Sequence, residues 1–114
     1  MFISAAVFTL GSVENITSED WDRVFAVNVK GGCALMVKAI VPLFKKQKSG
    51  SIINIASSLG LVAMNGVTPY STSKGAIIQL TKNLALDLAP YNIRVNSISP
   101  GPVGEASTYI IFLK

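Results

Sequence analysis

Tyr70 and Lys74 stand four residues apart in the run Pro69-Tyr70-Ser71-Thr72-Ser73-Lys74-Gly75. A proline suits the first turn of a helix, where its missing N–H has no partner to lose. From that start, the spacing puts phenol and ammonium on one helix face, about 5–6 Å apart at Cβ. A free tyrosine titrates near about 10 and moves protons poorly at neutral pH. One positive charge about 5 Å away, at an effective dielectric of about 20, favours the phenolate by roughly 3 kcal/mol. That lowers the titration point by about two pH units and brings Tyr70 into range for a general acid or base. Such pairs also occur on ordinary helix surfaces, so the meaning of this one depends on its neighbours.

Positioning the pair requires a scaffold, and the chain supplies the signals for one. Residues 1–4 read as the end of a buried strand, followed by a loop to Ile16. Thr17 with Asp20 makes a capping-box-like helix start. Apolar residues then recur at helical spacing from Trp21 to Leu43, with a bend or close contact expected at Gly31-Gly32 and a stop at Ser49-Gly50. Ser51 to Ala56 is β-branched and apolar, as in a buried strand, and Ser57 to Thr68 is a loop. Pro69 to about Ala89 reads as a long helix, Pro90 to Asn92 as a turn, and Ile93 to Ile98 as another strand. Helices alternating with apolar strands give parallel β-α-β units and therefore an α/β sheet. In such sheets ligands sit beyond the carboxyl ends of the strands. Ser57 follows one strand end, Pro100-Gly101 follows another, and Tyr70 opens the helix between them.

Composition narrows the alternatives. The 114 residues allow one domain, and half are hydrophobic while only 14% are charged. Such oiliness fits either a membrane protein or a parallel sheet covered on both faces. The most apolar run, Gly31 to Phe44, is interrupted by Lys38 and Pro42 and falls short of the length of about 20 that a spanning helix needs. No basic segment of a signal peptide precedes the first apolar residues. A cytoplasmic protein without a membrane partner is expected. One cysteine, Cys33, and no histidine exclude an internal disulfide, a Ser-His-Asp triad and a His/Cys metal site within these residues. The net charge is +4, and Lys45, Lys46 and Lys48 cluster. They complement a helix C-terminus, with no accompanying nucleic-acid motif.

The combination resembles the short-chain dehydrogenase/reductase family. The features that carry the resemblance are Asn28-Val29-Lys30-Gly31, Asn54-Ile55-Ala56-Ser57-Ser58, Tyr70-x-x-x-Lys74, Arg94-Val95-Asn96 and Ser99-Pro100-Gly101-Pro102-Val103. Ser57 lies 13 residues before Tyr70, and this spacing favours it over its neighbour Ser58. The resemblance implies a partial Rossmann-type doubly wound parallel sheet of about three strands with two long helices. It implies an NAD(P)-dependent oxidoreductase acting on a small secondary alcohol or carbonyl, with NAD or NADP as cofactor. Tyr70 then exchanges a proton with the substrate oxygen. Lys74 tunes Tyr70 and binds the nicotinamide ribose, Ser57 holds the substrate oxygen, and Asn28 holds a water that relays protons to Lys74. Tyr70, Lys74, Pro100, Gly101 and Val103 are the implied cofactor contacts. A homo-oligomer formed through the two long helices is implied as well. Leu59, Leu61, Met64 and Val67 either line an apolar or acyl-chain substrate pocket or close the core under the loop.

The departures from the family are equally definite. The Gly-x-x-x-Gly-x-Gly turn that receives the cofactor pyrophosphate has no counterpart in this sequence. The family's Asn-Asn-Ala-Gly segment stands here as Ile3-Ser4-Ala5-Ala6, and Glu105 occupies a position where a threonine is usual. The tail from residue 104 to 114 leaves the family pattern. A partial sequence carrying the catalytic half is therefore expected. The alternative is a truncated, non-catalytic module that binds no cofactor and serves oligomerisation.

Overall fold

A computed structural model gives the fold, and residues 1–102 are the ones described. Three strands, β1 (Phe2–Ile3), β2 (Gly50–Ile55) and β3 (Ile93–Ile98), pair in parallel in the order β1-β2-β3. Ile3 stands opposite Asn54, and β2 pairs with β3 from Gly50↔Ile93 to Ile55↔Ile98. The first connection carries α1 (Ser18–Phe25), a π-helical run over Ala26–Leu35, and α2 (Met36–Gln47). The second carries α3 (Thr68–Leu88).

Alternation along the strands shows which face is covered. Ile93 and Val95 are buried whereas Arg94 and Asn96 are exposed, and Ile52 and Asn54 are buried on the same face. Ile52 and Val95 share one core with Cys33 and Val37 from the first helical segment and Ile77 and Leu88 from α3. Both helical layers therefore lie on one face of the sheet. The opposite face leaves Phe2 72% and Ile98 48% exposed among the described residues. Within the covered face, Asn54 Nδ2 donates to Thr81 Oγ1 at 2.9 Å, and Thr81 Oγ1 donates to the Ile77 carbonyl at 2.8 Å. This buried bridge fixes how α3 lies along β2.

The helix start at Thr17 follows the sequence. Its hydroxyl accepts from the Asp20 N–H at 3.1 Å while the Asp20 carboxylate accepts from the Thr17 N–H at 3.2 Å. Those bonds hold the Asp20 carboxyl below its ordinary range. The stop is different from the one expected. Lys48, not a glycine, takes the left-handed conformation at φ 52°. Its N–H donates to the Lys45 carbonyl and that of Ser49 to the Phe44 carbonyl, both at 3.2 Å, which satisfies two orphan carbonyls of the last turn. Asn92 Nδ2 also donates to the Lys48 carbonyl at 3.0 Å. At Gly50 a Cβ would press against the Phe44 side chain, which packs directly over this position.

Ser18–Gln47 is helical throughout its 30 residues, passing Gly31-Gly32 and Pro42 without a break. By length and composition it is apolar enough to cross a membrane, so the expectation that no segment reaches this is corrected. The π-helical winding explains the two glycines. A Cβ at Gly32 would stand 2.5 Å from the Val27 carbonyl oxygen and 3.2 Å from that of Ala5. The sequence-based expectation of a close contact here holds, and the contact is with the loop that follows β1.

Cys33 is buried in this run, and burial pushes its thiol above the usual cysteine range, although the nearby Lys74 charge pulls the other way. The native protein should therefore resist an aromatic disulfide reagent at pH 8, where a free cysteine near about 8.5 already reacts. Full labelling should appear only in denaturant. Rapid labelling of the folded chain, followed by absorbance, would contradict the packing around the π-helical run.

Candidate active site

The site forms where β2 and β3 end. Beyond the paired strands, the Ala56 N–H donates to the Ile98 carbonyl at 2.8 Å and the Ser58 N–H to the Pro100 carbonyl at 2.9 Å. These bonds carry the sheet pairing forward and hold the Pro100-Gly101 segment beside the serines. Ser57 is 8% exposed, and its Oγ accepts from the Leu59 N–H at 3.2 Å, which starts a short 3₁₀ turn over Ser58–Gly60.

That turn rests directly on α3. A Cβ at Gly60 would stand 2.8 Å from the Lys74 carbonyl carbon and 2.9 Å from the Gly75 nitrogen. Only glycine allows the backbone carrying Ser57 to approach the backbone carrying Lys74 this closely. Gly60→Ala should cost about 1–3 kcal/mol through forced displacement of backbone that cannot yield. The loss is measurable as a lowered thermal midpoint, and an unchanged midpoint would mean the turn is free to lift. Sequence reasoning treated Gly60 only as a loop residue. Its position three residues after Ser57 was the available signal.

The start of α3 carries the pair. Pro69 occupies the first turn, no side chain caps it, and the first helical bond runs from the Ser71 N–H to the Val67 carbonyl at 2.9 Å. Lys74 is 2% exposed, and its Nζ donates to the Ile55 carbonyl at 2.8 Å. Nζ also lies 5.6 Å from the Tyr70 ring centroid, so the expected sharing of one helix face is present. Burial pulls the Lys74 ammonium below the ordinary lysine range. Phe8 packs edge-on against Tyr70, with ring centroids 6.0 Å apart at 72°.

Ser57, Tyr70, Lys74, Pro100 and Gly101 all border one cavity of about 390 Å³. Asn28 does not. It is fully buried in the π-helical run, where its Oδ1 accepts from the Val7 N–H at 2.7 Å and its Nδ2 donates to the Val7 carbonyl at 2.8 Å. The second Nδ2 proton goes to Ser73 Oγ at 2.9 Å, and Ser73 Oγ donates to the Tyr70 carbonyl at 2.7 Å. Asn28 thus reaches the site through Ser73, a residue that the sequence reading left without a role. Val103 and Glu105, with the tail to 114, lie outside the described residues.

Comparisons with known proteins identify the family. The short chain dehydrogenase family model matches residues 1–109. A cyclopentanol dehydrogenase of Comamonas testosteroni is 41% identical over 105 residues, covering 92% of this chain and 42% of that protein. Among solved structures, an NAD+-bound xylitol dehydrogenase superposes with a TM-score of 0.85 at 43% identity, covering 92% of this chain and 40% of the other. A gluconate 5-dehydrogenase from Burkholderia cenocepacia J2315, in complex with NADP and tartrate, gives 0.85 at 29% identity over 88% of this chain and 39% of the other. The chain therefore spans well under half the length of these relatives. Its α/β architecture is that of a partial Rossmann-type fold, and the chain belongs to the short-chain dehydrogenase family.

Proposed function

We propose that this chain carries the proton-transfer half of an NAD(P)-dependent oxidoreductase acting on a secondary alcohol or its ketone. The observation that carries the reading is the single cavity bordered by Ser57, Tyr70, Lys74, Pro100 and Gly101 at the carboxyl ends of β2 and β3. Its residues fit the nicotinamide and ribose of such a cofactor. Lys74 spends one of its three donors on the Ile55 carbonyl and keeps others for ribose hydroxyls. Gly101 leaves room for a flat ring, since among the described residues a Cβ there would meet its nearest neighbour, Ser58 Oγ, only at 3.9 Å. Bound there, NAD or NADP supplies the acceptor or donor of a hydride.

The chain's own residues handle the oxygen and the proton. In the oxidising direction Tyr70, as phenolate, takes the hydroxyl proton while the carbinol carbon loses its hydride, so the alcohol gives up two electrons and two hydrogens and becomes a ketone. Ser57 donates to the substrate oxygen and fixes its position against Tyr70. Asn28, through Ser73, holds the first turn of α3 in place.

Fluorescence titration with NADH and NADPH tests the reading, with binding expected for at least one of them. No binding at about millimolar concentration would favour the second reading, a non-catalytic oligomerisation module. That reading draws on Leu35, Met36, Leu43 and Leu86, all exposed on the long helices. The same residues support a homo-oligomer formed through those helices if the chain is catalytic.

A further inference from the structure

A second cavity, of about 340 Å³, opens on the other side of Tyr70. Its walls are Phe8, Leu10, Leu59, Met64, Val67 and Tyr70 itself. It shares Ala6, Leu59 and Tyr70 with the cavity assigned to the nicotinamide, so the two meet at the residue that moves the proton. Among its described lining residues none is charged, and the phenol of Tyr70 is the only polar side chain. At its rim Phe8 is 57% and Leu10 68% exposed, a pair of large apolar side chains held in water beside a reactive group.

From this we infer that the substrate is an uncharged alcohol or ketone that lays a hydrocarbon portion against this wall while its oxygen faces Tyr70. The inference rests on the oxidoreductase reading for the identity of the reacting group, but the cavity's selectivity can be measured separately. Hydrocarbon placed here leaves water for an apolar wall. A carboxylate or a row of hydroxyls would surrender its hydration with no side chain to replace it, apart from the phenol already committed to the reacting oxygen. Polyols and hydroxy acids are therefore rejected at this wall. Of the sequence-based candidates, Leu59, Met64 and Val67 line the cavity, while Leu61 is 69% exposed and does not.

The three methionines make the test direct, because Met64 lies in this cavity and Met36 in a separate apolar groove beside Phe2. With the protein labelled at its methionine methyl carbons, cyclohexanone should shift the Met64 signal with half-saturation of about 1–10 mM. Met1 and Met36 should stay in place. Cyclohexanecarboxylate and xylitol should bind at least about tenfold more weakly. Leu10→Lys, at an exposed position that tolerates the change, should bring the carboxylate up to or above cyclohexanone. Equal shifts for the charged and uncharged ligands, or a Met36 shift as large as that of Met64, would overturn the inference. Because no nicotinamide is needed, a positive result here with no NADH or NADPH binding sinks only the hydride-transfer reading. Cofactor binding with an indifferent Met64 sinks only this one.

Discussion

Replacing Tyr70 with phenylalanine should lower turnover by about 10²–10⁴-fold, the usual contribution of a positioned acid or base. Cofactor affinity should remain within a few-fold, since the ring, its edge contact with Phe8 and the Lys74 anchor on Ile55 are retained. The measurement is steady-state kcat alongside a direct NADH or NADPH titration. Turnover that survives the change would remove Tyr70 from the chemistry. The pH dependence gives a second check. Burial lowers the titration point of Lys74, so its cation is present below that point and lost above it. Activity that depends on the cation should therefore fall at a pH below the value of about 10.4 of a free lysine. An alkaline limb lying at or above that value would contradict this account of Lys74.

Asn28→Ala should destabilise the protein by about 3–5 kcal/mol, the scale of losing a buried polar network. The amide makes three hydrogen bonds, two with the Val7 backbone and one with Ser73 Oγ. Truncation leaves the Val7 N–H and carbonyl short of partners in a half-buried loop, and each unsatisfied group costs about 1–3 kcal/mol. The same loop presents Phe8 to Tyr70. Remaining folded molecules should therefore show a weakened KM for apolar substrates as well as a lower denaturation midpoint. A midpoint within about 0.5 kcal/mol of the parent protein would show that the loop and α3 are held by other contacts.

What the sequence could show was set by the range of each interaction. The Thr17–Asp20 capping box involves two residues three apart, so spacing alone determines it. The Tyr70–Lys74 face follows from helical pitch once Pro69 marks the start, and β3 over Ile93–Ile98 follows from a short alternating stretch between a turn and Pro100. β2 came out one residue early at each end, as strand boundaries commonly do.

Features that depend on distant partners were not legible. Gly60 looks like any loop glycine until the backbone of Lys74 and Gly75 lies within 3 Å of its missing Cβ. Asn28 is a polar residue in an apolar run until folding supplies Val7, 21 residues away, and Ser73, 45 residues away. Lys48 adopts a conformation usually left to glycine because two backbone hydrogen bonds and the Asn92 side chain offset the strain. The sequence by itself determined the helices, the strand order of chemistry-bearing segments and the phenol–ammonium pair, because these arise from neighbours along the chain. Only the tertiary structure decided which sheet face is covered, how Asn28 acts through Ser73, and that Phe8 and Met64 form an apolar wall beside Tyr70, because those arrangements exist only once separate segments are packed together.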